Sequence, residues 1–493
     1  MDGDPREIEL KFLIDPARAR ALITHLSGGA AIAVSSLTST YFDTPGRTLW
    51  RAGFTLRLRH DGDGWTQTVK SRADRDGGFG RGEWETPIAA GALDLAAVRA
   101  TPAGVTLGDQ TPAAAFEVTV RRRTVAAGAS GFPVEFSLDA GRVTAGSRSA
   151  RFEELELELK SGAVAELLAV ARDLQRRFDL GLSFQTKADR GFALIDGRGR
   201  GARHFEAPML SDRMTVGEAF KAIARPCLRQ IAGNATLVAA RPSAGAIHQM
   251  RVGGRRLRGA LSAFEPILAG DELDRLEADL RWLAGELDPA RNLDVLLAGA
   301  IRRASRRGGA AALAAALKTQ RDAAHARARL AADSARPRLM LLNALGWIED
   351  GSWTLGTAPH AADRDAPIGP FAARVLEKAR RKVQGRARHF ARLDRPHRHR
   401  VRIAAKRLRY MAEAFAGVFG RRRRAHRFIG WLETLLESLG DLNDIATGET
   451  LIGAGPAAES VKSRERGREV RLVADAAEAL KRLGKARRFW PKT

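Results

Sequence analysis

Residues 7–11 read Glu7-Ile8-Glu9-Leu10-Lys11, and residues 154–160 read Glu154-Leu155-Glu156-Leu157-Glu158-Leu159-Lys160. Strand side chains alternate between faces, so residues two apart lie on one face about 6.5 Å from each other. Two carboxylates and an ammonium therefore share a face of the first segment, with Ile8, Leu10 and Phe12 behind them, and the second segment repeats the arrangement over three leucines. The same alternation sets Glu83 and Glu85 opposite Trp84, Glu135 beside Asp139, Arg57 beside Arg59, and Arg121 and Arg123 on the face of Glu117, with Lys70 and Arg81 as further cations. A solvated antiparallel face usually carries Thr, Ser, Gln and Lys. Glu and Arg clusters on several strands predict instead that these faces turn inward around a wet interior, with helices covering the apolar faces.

Working outward, alternating segments at Phe54–Arg59, Trp65–Lys70, Gly82–Ile88, Phe116–Thr124, Val134–Leu138 and Glu153–Lys160 are punctuated by turn clusters such as Asp61-Gly62-Asp63-Gly64. Asp15-Pro16 is a helix start, and a second helix is predicted from Ala163 to Phe178. This pattern predicts a multidomain α+β chain whose residues 1–198 form an eight-stranded antiparallel β-barrel with flanking helices. A linker is expected over 199–210 and an all-α domain over 211–493. The Pro- and Gly-containing loop 351–369 divides that domain into halves at about 211–348 and 369–493.

The halves repeat. His248-x-x-Arg251-x-x-x-Arg255-Arg256-Leu257-Arg258 returns 151 residues later as His399-x-x-Arg402-x-x-x-Lys406-Arg407-Leu408-Arg409, and Leu287–Asn292 is echoed by Leu439–Asp444. On a helix, His248, Arg251, Arg255 and Arg258 fall within an arc of about 80°, with Leu257 opposite. A solvated charged face would explain one such helix, but not its repetition.

Composition agrees with this division. The 493 residues carry a net charge of +25, yet residues 1–200 contain 27 Lys and Arg against 26 Asp and Glu, so the excess lies in the second part and points to a polyanionic partner. The single cysteine, Cys227, excludes an intrachain disulfide and a thiolate cluster. No apolar run approaches the roughly 20 residues of a membrane span, and the charged first residues lack a secretory signal. A cytoplasmic protein without membrane contact is expected. An eight-stranded barrel is about wide enough for one small ligand. Glutamates offer hard oxygen ligands to Mg²⁺ or Mn²⁺, and arginines bind phosphate oxygens bidentately. No Walker-type glycine loop is present.

At these residues the first part resembles the CYTH domain of the triphosphate tunnel metalloenzymes. Glu7, Glu9 and Lys11 match the ExExK signature, and the later clusters follow in the family's order over about residues 5–195, with the family's Ser-Lys replaced by Thr186-Lys187. The resemblance implies catalytic roles for Glu7, Glu9 and Lys11, and Mg²⁺ or Mn²⁺ held by Glu7, Glu9, Asp139, Glu154, Glu156 and Glu158. It also implies a triphosphate held by Lys11, Arg57, Arg59, Lys70, Arg81, Arg121, Arg123 and Lys187. The second part, over about 210–490, resembles the CHAD domain. That resemblance implies two pseudo-symmetric four-helix bundles presenting His248, Arg251, Arg255, Arg256, Arg258, His399, Arg402, Lys406, Arg407 and Arg409 to inorganic polyphosphate.

The expected function is metal-dependent hydrolysis of inorganic triphosphate, joined to polyphosphate binding and association with polyphosphate granules. Two alternatives remain: a non-catalytic polyphosphate granule protein, and a hydrolase or cyclase acting on thiamine triphosphate or ATP. Nucleic acid ranks lower as a partner, because 6% aromatic residues leave few stacking platforms.

Overall fold

Alternating charged and apolar residues build the strands β1 (Arg6–Leu13), β2 (Ala33–Asp43), β3 (Phe54–His60), β4 (Trp65–Ser71), β5 (Gly80–Ile88), β6 (Ala113–Val125), β7 (Val134–Ala145), β8 (Arg148–Leu159) and β9 (Gly181–Ser183). The computed structural model describes residues 6–71, 80–89, 91–128, 133–197, 201–268, 270–305 and 311–491, with the backbone alone for Arg6, Glu7, Gly80, Arg81 and Ser305. The described strands form one antiparallel sheet in the order β5-β4-β3-β2-β6-β7-β8-β1-β9. The eight strands expected are thus nine. One edge of β1 pairs with β8, while the other pairs with β5 near its start (Glu7↔Arg81) and with β9 near its end (Lys11↔Ser183).

One sheet face is apolar over most of its extent. Leu10, Phe12, Phe136, Leu138, Leu155 and Leu157 are buried, with helix α1 (Pro16–Ser27) against β6 and β7 and helix α2 (Val164–Phe178) against β8. Asp15 caps α1, its side chain accepting from the Ala17 amide at 3.0 Å. Around Phe54, Leu56 and Val69, the short helices Thr48–Ala52, Leu95–Arg99 and Pro102–Leu107 complete this layer. The other face is divided. Leu37, Tyr41, Phe116, Val118, Val120, Val143 and Phe152 form a core with Ala188 and Phe192 of helix α3 (Lys187–Ile195), and the charged residues lie beyond it.

The second unit is helical: α4 (Val216–Ala240), α5 (Ala244–Leu268), α6 (Asp271–Leu296), α7 (Ala311–Ala332), α8 (Ile368–Arg386), α9 (Arg395–Ala414), α10 (Arg422–Ile452) and α11 (Pro456–Lys485). In the first half α4 packs on α5 and α7, and α6 on α5 and α7; in the second, α8 to α11 pack in sequence. The halves meet through α4–α8, α5–α9 and α6–α10, and Phe264 joins them by ring contacts with Phe371 and Phe415 at 4.8 and 6.1 Å. The chain divides into Met1–Gly201 with Arg338–Asp350, and Ala202–Pro337 with Gly351–Thr493. Among the described residues no helix is long and apolar enough to cross a membrane.

Gly141 sits where β7 crosses the core of the divided face: an added Cβ would lie 2.5 Å from Phe152 and 2.8 Å from the Thr119 carbonyl. Gly141→Ala is expected to destabilise the strand unit by about 1–3 kcal/mol through overpacking. The measurement is urea unfolding of the full chain followed by strand-unit fluorescence, and an unshifted midpoint would contradict the packing described.

Candidate functional site

Register decides which side chains share the charged face, because cross-strand partners point the same way. Lys11 lies opposite Glu156, Glu9 opposite Glu158, Asp139 opposite Glu154, and Arg122 opposite Asp139. Across the sheet, Ser39 faces Arg59, Tyr41 faces Arg57, and Lys70 faces Glu83. Glu7 and Arg81 are backbone partners in this array, and their side chains lie outside the described residues.

At the centre, the Lys187 ammonium stands 2.8 Å from Asp139, 2.7 Å from Glu154 and 2.8 Å from Glu156. Asp139 and Glu154 are fully buried. Arg122 forks onto Asp139 (Nε–Oδ1 2.8 Å, Nη2–Oδ2 2.7 Å) and reaches Glu156 at 2.6 Å. Arg190 donates to Glu154 at 3.1 Å, while Lys11 pairs with Glu156 and, at 3.0 Å, with Glu9. Thr186 caps α3, its hydroxyl accepting from the Asp189 N–H while its own N–H donates to the Asp189 carboxylate, which fixes the turn that presents Lys187. Burial pushes the Glu156 carboxyl up, but Lys11, Lys187 and Arg122 prevail and hold it well below 4.5. Burial likewise opposes the Lys187 and Arg122 charges, and their carboxylate neighbours raise both above their ordinary values.

A second group lies on the same face. Lys70 pairs with Glu83 at 2.8 Å, and Arg57 stands 3.7 Å from Glu83 and from Glu85. Arg59 makes no ion pair within 4 Å among the described residues. Its Nε lacks a hydrogen-bond partner there, and burial together with Arg57 lowers it to about 10.

The six carboxylates expected to hold metal are therefore not equivalent. Asp139, Glu154 and Glu156 place one oxygen each within 4.8 Å of one another, whereas Glu158 pairs with Lys160 at 2.7 Å and Glu9 with Lys11. The cage fits a cation, since three hard oxygens already surround an ammonium, and these oxygens suit a divalent ion.

Arg121 and Arg123 are not brought to this face. Arg121 is exposed on the opposite side, in a groove with Arg142 and Arg151, and Arg122 takes the inward position. In a run of three arginines alternation alone cannot choose the parity, and the buried Val118 and Val120, which share Arg122's face, make that face read as apolar. Arg190 was also missed; it lies one turn beyond Lys187 on α3, a spacing that places both on one side.

In the helical unit, α5 and α9 bring their motifs together. Burial pushes His248 down to about 4, aided by Arg291, Arg255, Arg251 and Lys406. Lys406 is pushed down to about 6 by burial and by Arg402, Arg255 and Arg251, against Asp444. Arg251, Arg291 and Arg402 are lowered by burial first and by like charges next. The buried Nδ1 of His248 and the Nε atoms of Arg255 and Arg402 have no hydrogen-bond partner among the described residues. The ten residues expected here separate. Arg251, Arg255, Arg402, Lys406 and His248 converge, with Arg251 also paired to Asp288. Arg256 bonds Glu413 at 2.6 Å and stacks on Phe205 and Tyr410, and Arg409 bonds the same Glu413 at 3.0 Å, so both serve the junction of the halves. Arg407 lies near Glu277 and Lys382, Arg258 is half-buried, and the exposed His399 bonds Asn443 at 2.7 Å. Arg291 and Asp444 were missed as site residues, although both fall in the second repeated segment.

Fold and sites define a two-domain α+β chain: an antiparallel sheet with a buried acidic cage, then a helical repeat with a cationic cluster. The chain belongs to the CYTH and CHAD families, the CYTH domain model matching residues 5–192 and the CHAD domain model residues 222–453. CYTH is a metalloenzyme family, and the buried acidic cluster accords with it. An inorganic triphosphatase of Haemophilus influenzae is 28% identical over 201 residues, 38% of this chain and 55% of the relative, so the chain spans about half of that relative's length. The CHAD domain of Ricinus communis is 31% identical, covers 59% of this chain and 98% of its own, and gives a TM-score of 0.49. A putative adenylyl cyclase from Hippeastrum, described as having a dominant triphosphatase activity, is 14% identical over 39% of this chain and 96% of its own, with a TM-score of 0.29.

Glu156→Gln leaves Lys11, Lys187 and Arg122 facing a neutral amide. Removing one partner of such a buried set is expected to cost about 3–5 kcal/mol. The urea midpoint of the strand unit reads this directly, and a wild-type midpoint would mean the cage contributes little to the fold.

Proposed function

We propose that the strand unit is a metal-dependent inorganic triphosphatase and that the helical unit binds inorganic polyphosphate. The observation carrying the first part is the Asp139–Glu154–Glu156 cage beside unneutralised guanidinium capacity at Arg59, all on one face of the sheet. The β1–β5 pairing returns the first strand of the order to the last but one, and we read the sheet as a tunnel closed there. Arg57, Arg59 and Lys70 bind one end of the triphosphate, while Lys11, Arg122 and Lys187 donate to oxygens near the scissile bond. Arginine forks orient those oxygens, which matters because phosphoryl transfer depends on positioning and charge neutralisation more than on covalent chemistry. Held by Asp139, Glu154 and Glu156, Mg²⁺ or Mn²⁺ would supply charge neutralisation at phosphate oxygens. Glu9, steadied by Lys11 at 3.0 Å, orients the attacking water; the water oxygen bonds to phosphorus as the bridging P–O bond breaks.

A second reading, polyphosphate binding without turnover at granules, is favoured by the cage itself: Lys187 already fills the cation position. Phosphate release from tripolyphosphate separates the two readings. Activity should require Mg²⁺ or Mn²⁺, stop with EDTA, and fall about 100-fold or more in Glu9→Gln. Metal-independent or absent release removes the hydrolase reading. Thiamine triphosphate and ATP, assayed in parallel, should be poorer substrates.

In the helical unit, the convergence of His248, Arg251, Arg255, Arg291, Arg402 and Lys406 with unpartnered N–H groups supports binding of an extended polyanion. Affinity for long-chain polyphosphate should fall steeply and log-linearly with salt. Arg255→Gln combined with Arg402→Gln should weaken it at least about tenfold. A salt-independent affinity, or wild-type retention by the double variant, would place the partner elsewhere.

A further inference from the structure

Lys406 breaks the repeat. It occupies the register of Arg255, 151 residues on, and is the one lysine among the ten motif residues. A guanidinium stays charged wherever it is placed, whereas an amine can lose its proton and become a nucleophile. Lys406 is half-buried on α9, and among the described residues it makes no ion pair within 4 Å. The charged groups that act on it most strongly are Arg251 and Arg255 from α5 and Arg402 on its own helix, opposed by Asp444 from α10, and His248 of α5 feels its charge in turn. Beside it lie unpartnered N–H groups of Arg255 and Arg402. A cationic cluster thus surrounds an amine with no carboxylate within 4 Å among the described residues.

We propose that Lys406 is an acyl-acceptor site, modified by small acyl phosphates whose phosphate group is held by Arg251, Arg255 and Arg402. The Nζ lone pair attacks the carbonyl carbon, the N–C bond forms, and the C–O bond to phosphorus breaks. The proton lost by the amine passes to the departing phosphate, so that acyl phosphate and amine become amide and hydrogen phosphate. Burial and like charges, which push this amine down to about 6, keep it mostly unprotonated at neutral pH, as with nucleophilic lysines placed beside other cations. Acylation would remove one cation from the cluster and add an acyl group to it, weakening its hold on polyanions. The inference deepens the polyphosphate-binding reading of this cluster but requires only its affinity for a phosphate group.

The test treats the full chain with acetyl phosphate at pH 7 and follows each lysine by peptide mass spectrometry. Lys406 is expected to acylate roughly tenfold faster than the exposed Lys318 and Lys481. That margin weighs a larger unprotonated fraction against the lower nucleophilicity of a weaker base, taking thiols as the guide to the latter. Arg255→Gln and Arg402→Gln, checked for wild-type circular dichroism, should each slow acylation of Lys406 several-fold without altering Lys481. The preference for Lys406 should shrink when the donor is the uncharged N-hydroxysuccinimide acetate. Parity of Lys406 with Lys481, or an equal preference for both donors, overturns the inference. Long-chain polyphosphate retention by unlabelled wild type is measured alongside. Retention without acylation refutes the acceptor site alone, and acylation without retention refutes the polyphosphate reading alone.

Discussion

An ammonium ringed by three carboxylates at 2.7 to 2.8 Å is the interaction on which the strand unit depends. Burying Asp139 or Glu154 alone would cost several kcal/mol per ion, so the fold must deliver Lys187, Arg122, Arg190 and Lys11 to the same place. Three elements, β1, β6 and the start of α3, deliver these cations, and β7 and β8 carry the carboxylates they meet. A one-residue slip in any of the four strands would send its charges to the opposite face and leave the others unpaired. The arrangement that stabilises the sheet is therefore also the one that gathers three hard carboxylate oxygens and several cationic donors at one place.

The helical unit solves the opposite problem. There the cations face one another, with Asp288, Asp294 and Asp444 as partial counterweights. Burial and mutual repulsion lower Arg251, Arg291, Arg402 and Lys406. In the strand unit, by contrast, the central ammonium and carboxylates pair with one another. One chain thus holds an acidic cage paired with its own cations and a separate cluster of mutually repelling cations.

Most of the charged face was legible because strand periodicity is a local property. Glu9, Lys11, Arg57, Arg59, Lys70, Glu83, Asp139, Glu154 and Glu156 all meet on one face, as alternation requires. The reading failed where the local pattern was degenerate. In the run of three arginines the structure takes the parity opposite to the expected one, and Ala33–Asp43, rich in Ser and Thr, is missing from the expected strands although it pairs along its length with β6. Its Ser39 and Tyr41 face Arg59 and Arg57, a role apparent only from the register.

By itself the sequence determined the alternation of the strands, the helical repeat, the segregation of charge, and the residue types from which both sites are built, since each is set by spacing along the chain. Tertiary structure alone decided that Arg122 rather than Arg121 enters the cage, that Lys187 takes its centre, and that Arg256 and Arg409 serve Glu413 while Arg402 and Lys406 face Arg255. Those choices depend on which strand edges and helix faces meet in the folded chain, and the energies that select them are charge pairing and packing between segments that local spacing does not encode.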